Sequence, residues 1–219
     1  MTEEEKQTNE NKETGKRKST LPQFKVFDKY EVFEIQVNDP GLKEVINLEP
    51  KLVVESHGRS NTERFGKEKI NVIERLANKL STAGHRGKKH KIEKGEITSK
   101  KTKINKIILE AFRIIEKQTG KNPVEVLVRA IEKSAPRDEV TVIEYGGARY
   151  PQAVDVSPMR RINVALRHIA HGSSDKAFNK KKTFAQALAE ELKMASEENA
   201  ESFAVKKRRE AEAQADSAR

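Results

Sequence analysis

The stretch DEVTVIEYGGARYPQAVDVSPMRRINVALRHIAH, residues 138–171, decides the fold of this chain. It opens with a run rich in valine, isoleucine, threonine and tyrosine that ends at Gly146-Gly147, a pattern typical of a β-hairpin. A second run, from Arg149 to Val156, leads to Ser157-Pro158, a capping residue followed by proline at the first helical position. The stretch therefore predicts a β-hairpin that leads directly into a helix.

The predicted helix has two different faces. Its apolar side chains share one face, which consists of Ile162, Ala165, Leu166 and Ile169. Its cationic side chains are expected on the other face, namely Arg160, Arg167 and His171, flanked by Arg161 and His168. A helix that packs with one face and presents cations on the other, next to a projecting hairpin, favours binding to a polyanion over catalysis.

Apolar residues at helical spacing predict the remaining helices. They run from Glu68 to Leu80, from Lys103 to Thr119 with Gly120 as the stop, from Asn122-Pro123 to Pro136, and from Thr183 to Asn199. The acidic side chains of the last helix, Glu190, Glu191, Glu197 and Glu198, are expected on its outward face. The predicted fold class is mainly α: a helical bundle of about five to six helices with one protruding β-hairpin and an extended basic N-terminal arm.

Composition narrows the function classes. The chain has 44 Lys and Arg residues against 34 Asp and Glu residues and a net charge of +10, which favours a phosphate-rich partner. Positive charge is densest between Gly84 and Lys106, with nine lysines and arginines against two glutamates. The absence of cysteine excludes disulfides, thiol catalysis and cysteine-ligated zinc. Without a membrane-length apolar run or a signal-peptide pattern, we expect a soluble protein inside the cell.

Changes in composition divide the chain into four predicted parts. Residues 1–20 are a low-complexity tail with five acids and five bases, which predicts disorder. Residues 21–69 form the N-terminal arm, and residues 70–200 a helical domain with the hairpin at about 138–156 and a basic insertion at about 83–99. Residues 201–219 are expected to form a basic C-terminal tail.

Several short motifs occur in a fixed order along the chain. They are Lys100-Lys101-Thr102, the helix Ile104 to Gln118, Thr119-Gly120-Lys121-Asn122-Pro123, the Gly146-Gly147 tip, Pro158-Met159-Arg160-Arg161, Ala165-Leu166-Arg167 and Ala204-Val205-Lys206-Lys207-Arg208. In order and spacing they resemble the family of the universal seventh protein of the small ribosomal subunit, over roughly residues 67–210. The arm and the insertion resemble the longer form of archaeal and eukaryotic members.

This resemblance implies a structural constituent of the small ribosomal subunit rather than an enzyme. It implies binding of the helical domain to the 3′ major domain of small-subunit rRNA, organisation of head assembly, and a position near the exit-site tRNA and the mRNA exit channel. The implied partners are this rRNA, neighbouring small-subunit proteins, exit-site tRNA and mRNA, and the implied location is cytoplasmic, on the ribosome. We expect no cofactor, metal, catalytic residue or membrane contact.

The residue pattern and the resemblance together give a set of expected rRNA-binding side chains. These are Lys67, Lys88, Lys89, Lys100, Lys101, Lys103, Arg149, Arg160, Arg161, Arg167, His168, Lys206, Lys207 and Arg208. The planar guanidinium group of arginine suits bidentate contact with a phosphate, and the flexible lysine side chain suits less directional contacts along a folded RNA backbone. Because A-form RNA hides its major-groove edges, we expect recognition through shape and 2′-hydroxyls rather than base sequence.

Other interpretations of the same residues stay open in the sequence. Basic helix faces are often only solvated, and cations at 206–209 also suit a helix end. Tyr145 and Tyr150, at the hairpin tip, suit either stacking on bases or packing across the strands. The net charge also fits a DNA-binding architectural protein, and an enzyme acting on RNA is a weaker alternative.

Overall fold

The computed structural model describes residues 25–86 and 99–219. In these ranges seven α-helices and one two-stranded antiparallel sheet are present. The helices are α1 Pro40–Lys43, α2 Val72–Leu80, α3 Lys101–Thr119, α4 Pro123–Ser134, α5 Pro158–Ala177, α6 Phe184–Ser196 and α7 Phe203–Ser217, and the strands are β1 Asp138–Tyr145 and β2 Ala148–Asp155. Since α1 is a single turn, the bundle consists of the six helices α2–α7, which confirms a mainly α fold with one hairpin. The predicted tail at 1–20, most of the predicted insertion, and Lys88 and Lys89 lie outside the described residues.

Local sequence signals set most of the helix boundaries. Gly120 ends α3 in the left-handed region, with φ 64°, as its position predicts. The Asn122 side chain accepts a hydrogen bond from the Val124 amide at 3.0 Å and so caps α4. The first predicted helix, by contrast, begins later than the predicted Glu68. Residues 66–69 form a short 3₁₀ helix, and α2 begins only after Asn71, whose side chain caps it.

The hairpin forms around the predicted glycine pair. Gly146 and Gly147 have φ 58° and 80°, the positive values that a two-residue turn of this kind requires. The register pairs Ile143 with Tyr150 directly across the strands, so Tyr150 has a cross-strand neighbour on its own face. Residues 141–152 are exposed on both faces, and the hairpin contacts the bundle through α7 at its base. The hairpin therefore protrudes from the helical body.

The core lies around α6, which contacts α3, α4 and α5. Its largest fully buried side chains include Phe112, Ile115, Leu127, Ile131, Ile162 and Phe184. The described part of the arm contributes Val26, Leu42 and Val54 to the same core, so it packs on the bundle rather than extending from it. The arm is also balanced in charge, since residues 21–69 contain eight lysines and arginines against nine aspartates and glutamates.

The segment expected to be a C-terminal tail is instead the helix α7. One side of this helix is buried in the protein and consists of Ala204, Val205 and Ala215. The small alanines and long charged residues of this segment favour a helix, and its few apolar positions fall on one side. The C-terminal residues are therefore part of the folded body.

Glu191 holds the beginning of α7, and its predicted outward position is wrong. Its side chain is fully buried. Oε1 accepts hydrogen bonds from Ser202 Oγ at 2.8 Å and from the Ala204 amide at 3.1 Å, at the positive end of the α7 dipole. Lys176 Nζ lies 2.6 Å from Oε2, at an angle that makes the contact an ion pair rather than a well-aligned hydrogen bond. A Cβ on Gly172 would lie 2.9 Å from the Glu191 Cδ atom, so this glycine leaves room for the carboxylate.

Candidate nucleic-acid interface

The packing of α2 on α5 brings together cations that are far apart in the sequence. We call Lys67, Lys79 and Arg167 the cationic face. Burial lowers the pKa of Lys79, and the positive charges of Arg167, Lys67 and Arg75 lower it further, so all three cations act on Lys79 electrostatically. Within residues 25–86 and 99–219, none of the three members forms an ion pair with a carboxylate. Like charges that lie near one another and form no ion pair favour an external anion.

A small cleft lies beside this face. Its volume is about 80 Å³, and it is lined by Lys79, Thr82, His85, Arg167, Ala170 and His171. Arg167 was expected from the sequence to bind RNA, and it is exposed here. Lys79 was missed, because the wheel of α2 alone gives no indication that Lys79 meets Arg167 across two helices. The cleft offers both cations to one phosphate group.

Arg75 adds a buried positive charge beneath this region. It is only 5% exposed, and burial lowers its pKa to about 10, so the guanidinium stays charged at neutral pH. Its Nη1 donates to the Val45 carbonyl at 3.3 Å, and its Nη2 lies 3.1 Å from Met159 Sδ. No carboxylate in the described part of the chain forms an ion pair with Arg75, and the negative charge of Glu68 raises its pKa only in part. The positive potential of the region therefore extends below the surface.

Arg149 and Arg160 are exposed, as expected for RNA-binding side chains. Arg160 Nε lies 2.6 Å from Glu139 Oε2 near the hairpin base, and Arg149 Nε lies 3.7 Å from Glu144 Oε2 next to the tip. Exposed ion pairs of this kind contribute roughly 0–1 kcal/mol. Exchange of these carboxylates for RNA phosphates therefore costs little, and both arginines stay available.

Arg161 does not lie on the exposed face where the wheel puts it. The residue is 8% exposed. Its Nε donates to the Pro136 carbonyl at 3.2 Å, and its Nη2 lies 2.6 Å from Asp39 Oδ2. Burial by itself would raise the pKa of Asp39, but the hydrogen bond and charge of Arg161 hold that pKa below its usual range. Arg161 therefore joins the arm, the hairpin base and α5 instead of facing solvent.

His168 is unsuited to the phosphate contact expected of it. Burial lowers its pKa to about 4, and the charges of His171, Arg167 and Lys207 act in the same direction. Its ring packs edge-on against Phe203, with the ring centres 6.1 Å apart. The imidazole is therefore neutral at physiological pH. The physical reason is that α7 covers this side of α5, which the helical wheel of α5 alone does not show.

The other expected side chains differ in how available they are. Lys67, Lys100 and Lys206 are exposed, and Lys103 is half-buried. Lys101 Nζ donates to Asn78 Oδ1 at 2.8 Å, and Lys207 pairs with Glu210 above the Phe203 ring. Arg208 lies inward, donating to the Lys133 carbonyl at 2.8 Å and to Glu198 Oε1 at 2.6 Å. Arg208 therefore attaches α7 to α4 and to the loop that follows α6. The exposed lysines, Lys67, Lys100 and Lys206, are the more available members of the set.

The described residues show neither a metal cluster nor a membrane helix. Residues 25–86 and 99–219 contain no group of three or more potential ligands that is arranged to hold a metal ion. In the same ranges no helix is both long enough and apolar enough to cross a bilayer.

A helical bundle with a protruding hairpin and a cationic face is suited to binding the phosphate backbone of a folded nucleic acid, as in nucleic-acid-binding proteins that read shape. Residues 44–219 match the family model described as ribosomal protein S7p/S5e. Small ribosomal subunit protein uS7 of Nanoarchaeum equitans is 48% identical over 197 residues, covering 90% of this chain and 100% of the relative. The uS7 proteins of Archaeoglobus fulgidus and Methanococcus maripaludis are 45% and 46% identical, covering 89% and 90% of this chain and 94% and 100% of the relatives.

The chain belongs to the ribosomal protein S7p/S5e family. It is a structural, non-enzymatic constituent of the small ribosomal subunit and takes part in translation as an rRNA-binding component of that cytoplasmic ribonucleoprotein. This membership decides against both alternatives that the sequence left open, the DNA-binding architectural protein and the enzyme acting on RNA.

Proposed function

We propose that this protein binds the 3′ major domain of small-subunit rRNA, helps to organise the head of the subunit during assembly, and lies near the exit-site tRNA and the mRNA exit channel. The observation that carries the first part is the cationic face, where Lys79 and Arg167 line one cleft and Lys67 acts on Lys79 electrostatically, with no ion-paired carboxylate among the described residues. Exposed Lys100, Arg149, Arg160 and Lys206, elsewhere on the protein, provide further phosphate contacts. Cations spread over several elements suit a multi-helix RNA junction better than one straight duplex.

The hairpin supports the position proposed near tRNA and mRNA. Its outer part, residues 141–152, is exposed on both faces, and Tyr145, directly before the turn, is 80% exposed. An antiparallel pair that leaves the body of the protein can reach a partner that the bundle itself does not contact. Its Gly146-Gly147 turn makes a narrow tip that fits between neighbouring molecules.

Binding to three nucleic acids of equal length tests the proposal. The probes are a transcript of the 3′ major domain, an RNA duplex and a DNA duplex, at low and near-physiological salt. We expect tight binding to the transcript that survives the higher salt, with weak, salt-sensitive binding to both duplexes. Equal, salt-sensitive binding to all three probes would show that charge alone acts and would overturn the proposed target.

A further inference from the structure

The sequence Arg64-Phe65-Gly66-Lys67 forms a turn that holds an aromatic ring in solvent. Phe65 is 64% exposed, although it is one of the largest apolar side chains in the chain. Its φ is 61°, in the left-handed region that bulky side chains rarely adopt. Glycine would fit this backbone without strain. A strained backbone that exposes a phenylalanine serves neither folding nor solubility, and such outliers point to function.

The next residue fixes the turn in this shape. A Cβ on Gly66 would lie 1.9 Å from the Ser60 carbonyl oxygen, so only glycine allows the two backbone segments to approach this closely. The Gly66 amide donates to the Glu63 carbonyl at 3.1 Å, which closes the turn. The Phe65 ring is therefore presented by a preorganised backbone.

The surroundings of the ring are cationic and connect to the cationic face. The Arg64 guanidinium carbon lies 5.2 Å from the centre of the Phe65 ring. A cleft of about 250 Å³ lies beside the ring and is lined by Ser60, Glu63, Phe65, Gly66, Lys67 and Met159. Glu63 pairs with Lys69, so its charge is already compensated. Lys67 also belongs to the cationic face, so a phosphate-binding cation lies directly next to the aromatic ring.

We propose that Phe65 is a stacking platform for an unpaired rRNA base, whose flanking phosphates contact Arg64 and Lys67. Flat aromatic rings beside cations are the arrangement by which proteins hold unstacked bases, since every base offers a π-face. An apolar protein partner is disfavoured, because cations flank the ring on both sides in the sequence. The inference rests on the proposed function, which supplies the RNA, but it assigns a separate contact to a separate residue.

The absence of tryptophan from the chain makes a direct test possible. Phe65→Trp places a single indole in the turn, and stacking on a base quenches indole fluorescence. Phe33→Trp is the matched control, since Phe33 is 61% exposed elsewhere on the arm. We expect the transcript of the 3′ major domain to quench the first variant and leave the second nearly unchanged. Because stacking tolerates any base, single-stranded oligoadenylate at low salt should also quench the first variant.

Affinity gives a second, independent readout. Phe65→Leu should weaken transcript binding about tenfold without changing its dependence on salt, because the side chain is uncharged. Phe65→Gly should weaken binding at least as much yet not lower the midpoint of thermal unfolding, since glycine accepts this backbone.

The outcomes separate the two proposals. Quenching by oligoadenylate with no specific binding to the transcript would refute the proposed rRNA target and leave the stacking site standing. Tight transcript binding with no quenching and no loss for Phe65→Leu would overturn the stacking site alone. Quenching that appears only when ribosomal proteins join the RNA would also overturn it, because a protein would then cover the ring.

Discussion

Replacing Glu191 by alanine is expected to lower the free energy of unfolding by about 3–5 kcal/mol, because it removes one member of a buried ion pair. The carboxylate accepts from Ser202 Oγ and the Ala204 amide, and both donors would lose their partner in the interior. Lys176 would lose its counter-charge at the same time. Since this contact fixes the beginning of α7, we also expect the C-terminal helix to loosen first. Urea unfolding of the RNA-free protein, followed by circular dichroism, measures the effect.

Glu190→Ala is the matched control for this prediction. Glu190 precedes Glu191 in the same helix but pairs with Lys182 at the surface. Its replacement should change the free energy of unfolding by less than about 1 kcal/mol. Equal losses in both variants would show that α6 responds to any lost carboxylate, and would refute the special role of Glu191.

Arg161→Ala is expected to lower the free energy of unfolding by about 2–3 kcal/mol, which is less than the roughly 3–5 kcal/mol for a fully buried pair because Asp39 is partly exposed. In this variant the Asp39 carboxylate loses its arginine partner, and the Pro136 carbonyl loses its hydrogen-bond donor. Because Arg161 does not face solvent, the salt dependence of rRNA binding should stay unchanged. Urea unfolding and a salt titration on the same preparation measure the two effects.

Arg160→Ala is the control for this prediction, and the pH dependence of stability is a second readout. Arg160→Ala should cost less than about 1 kcal/mol in stability, since its pair with Glu139 is exposed, but should reduce the salt dependence. The lowered pKa of Asp39 means that its stabilising contribution is present above the usual aspartate pKa and is lost as the pH falls through the folded-state value. Arg161→Ala should lack this acid-dependent contribution. If it instead weakens the salt dependence while stability is unaffected, the interior assignment is wrong.

The sequence predicted the elements well because local chemistry determines them. Gly146-Gly147 can form a tight hairpin turn, Gly120 ends a helix, and Asn122 begins one, whatever surrounds them. The apolar face of α5 was likewise predicted, since Ile162 and Ile169 are both buried. The turn and the helix ends depend on contacts within a few residues along the chain, and the apolar face depends on the spacing of side chains within one helix.

The charged residues were harder to place because their surroundings are tertiary. Glu191 lies three residues after Leu188 and seven after Phe184, so its spacing places it inward, but its charge suggested solvent. Arg161 and His168 were expected on an open face that the arm and α7 in fact cover. A helical wheel gives the angle between side chains but not which neighbouring element covers each side. The same limit explains why Lys79 was missed.

The cationic face is tested most directly by removing its charge and comparing the loss with equal charge removed elsewhere. The triple alanine variant of Lys67, Lys79 and Arg167 is compared with that of Lys106, Arg113 and Lys117, which are exposed along α3. The measurement is the slope of log affinity against log salt for the transcript of the 3′ major domain. We predict that the slope of the first variant falls by about two to three units, as for three lost phosphate contacts, and that of the second hardly changes. Equal reductions in both variants would contradict the account, because the protein would then bind RNA through its net charge and not through this face.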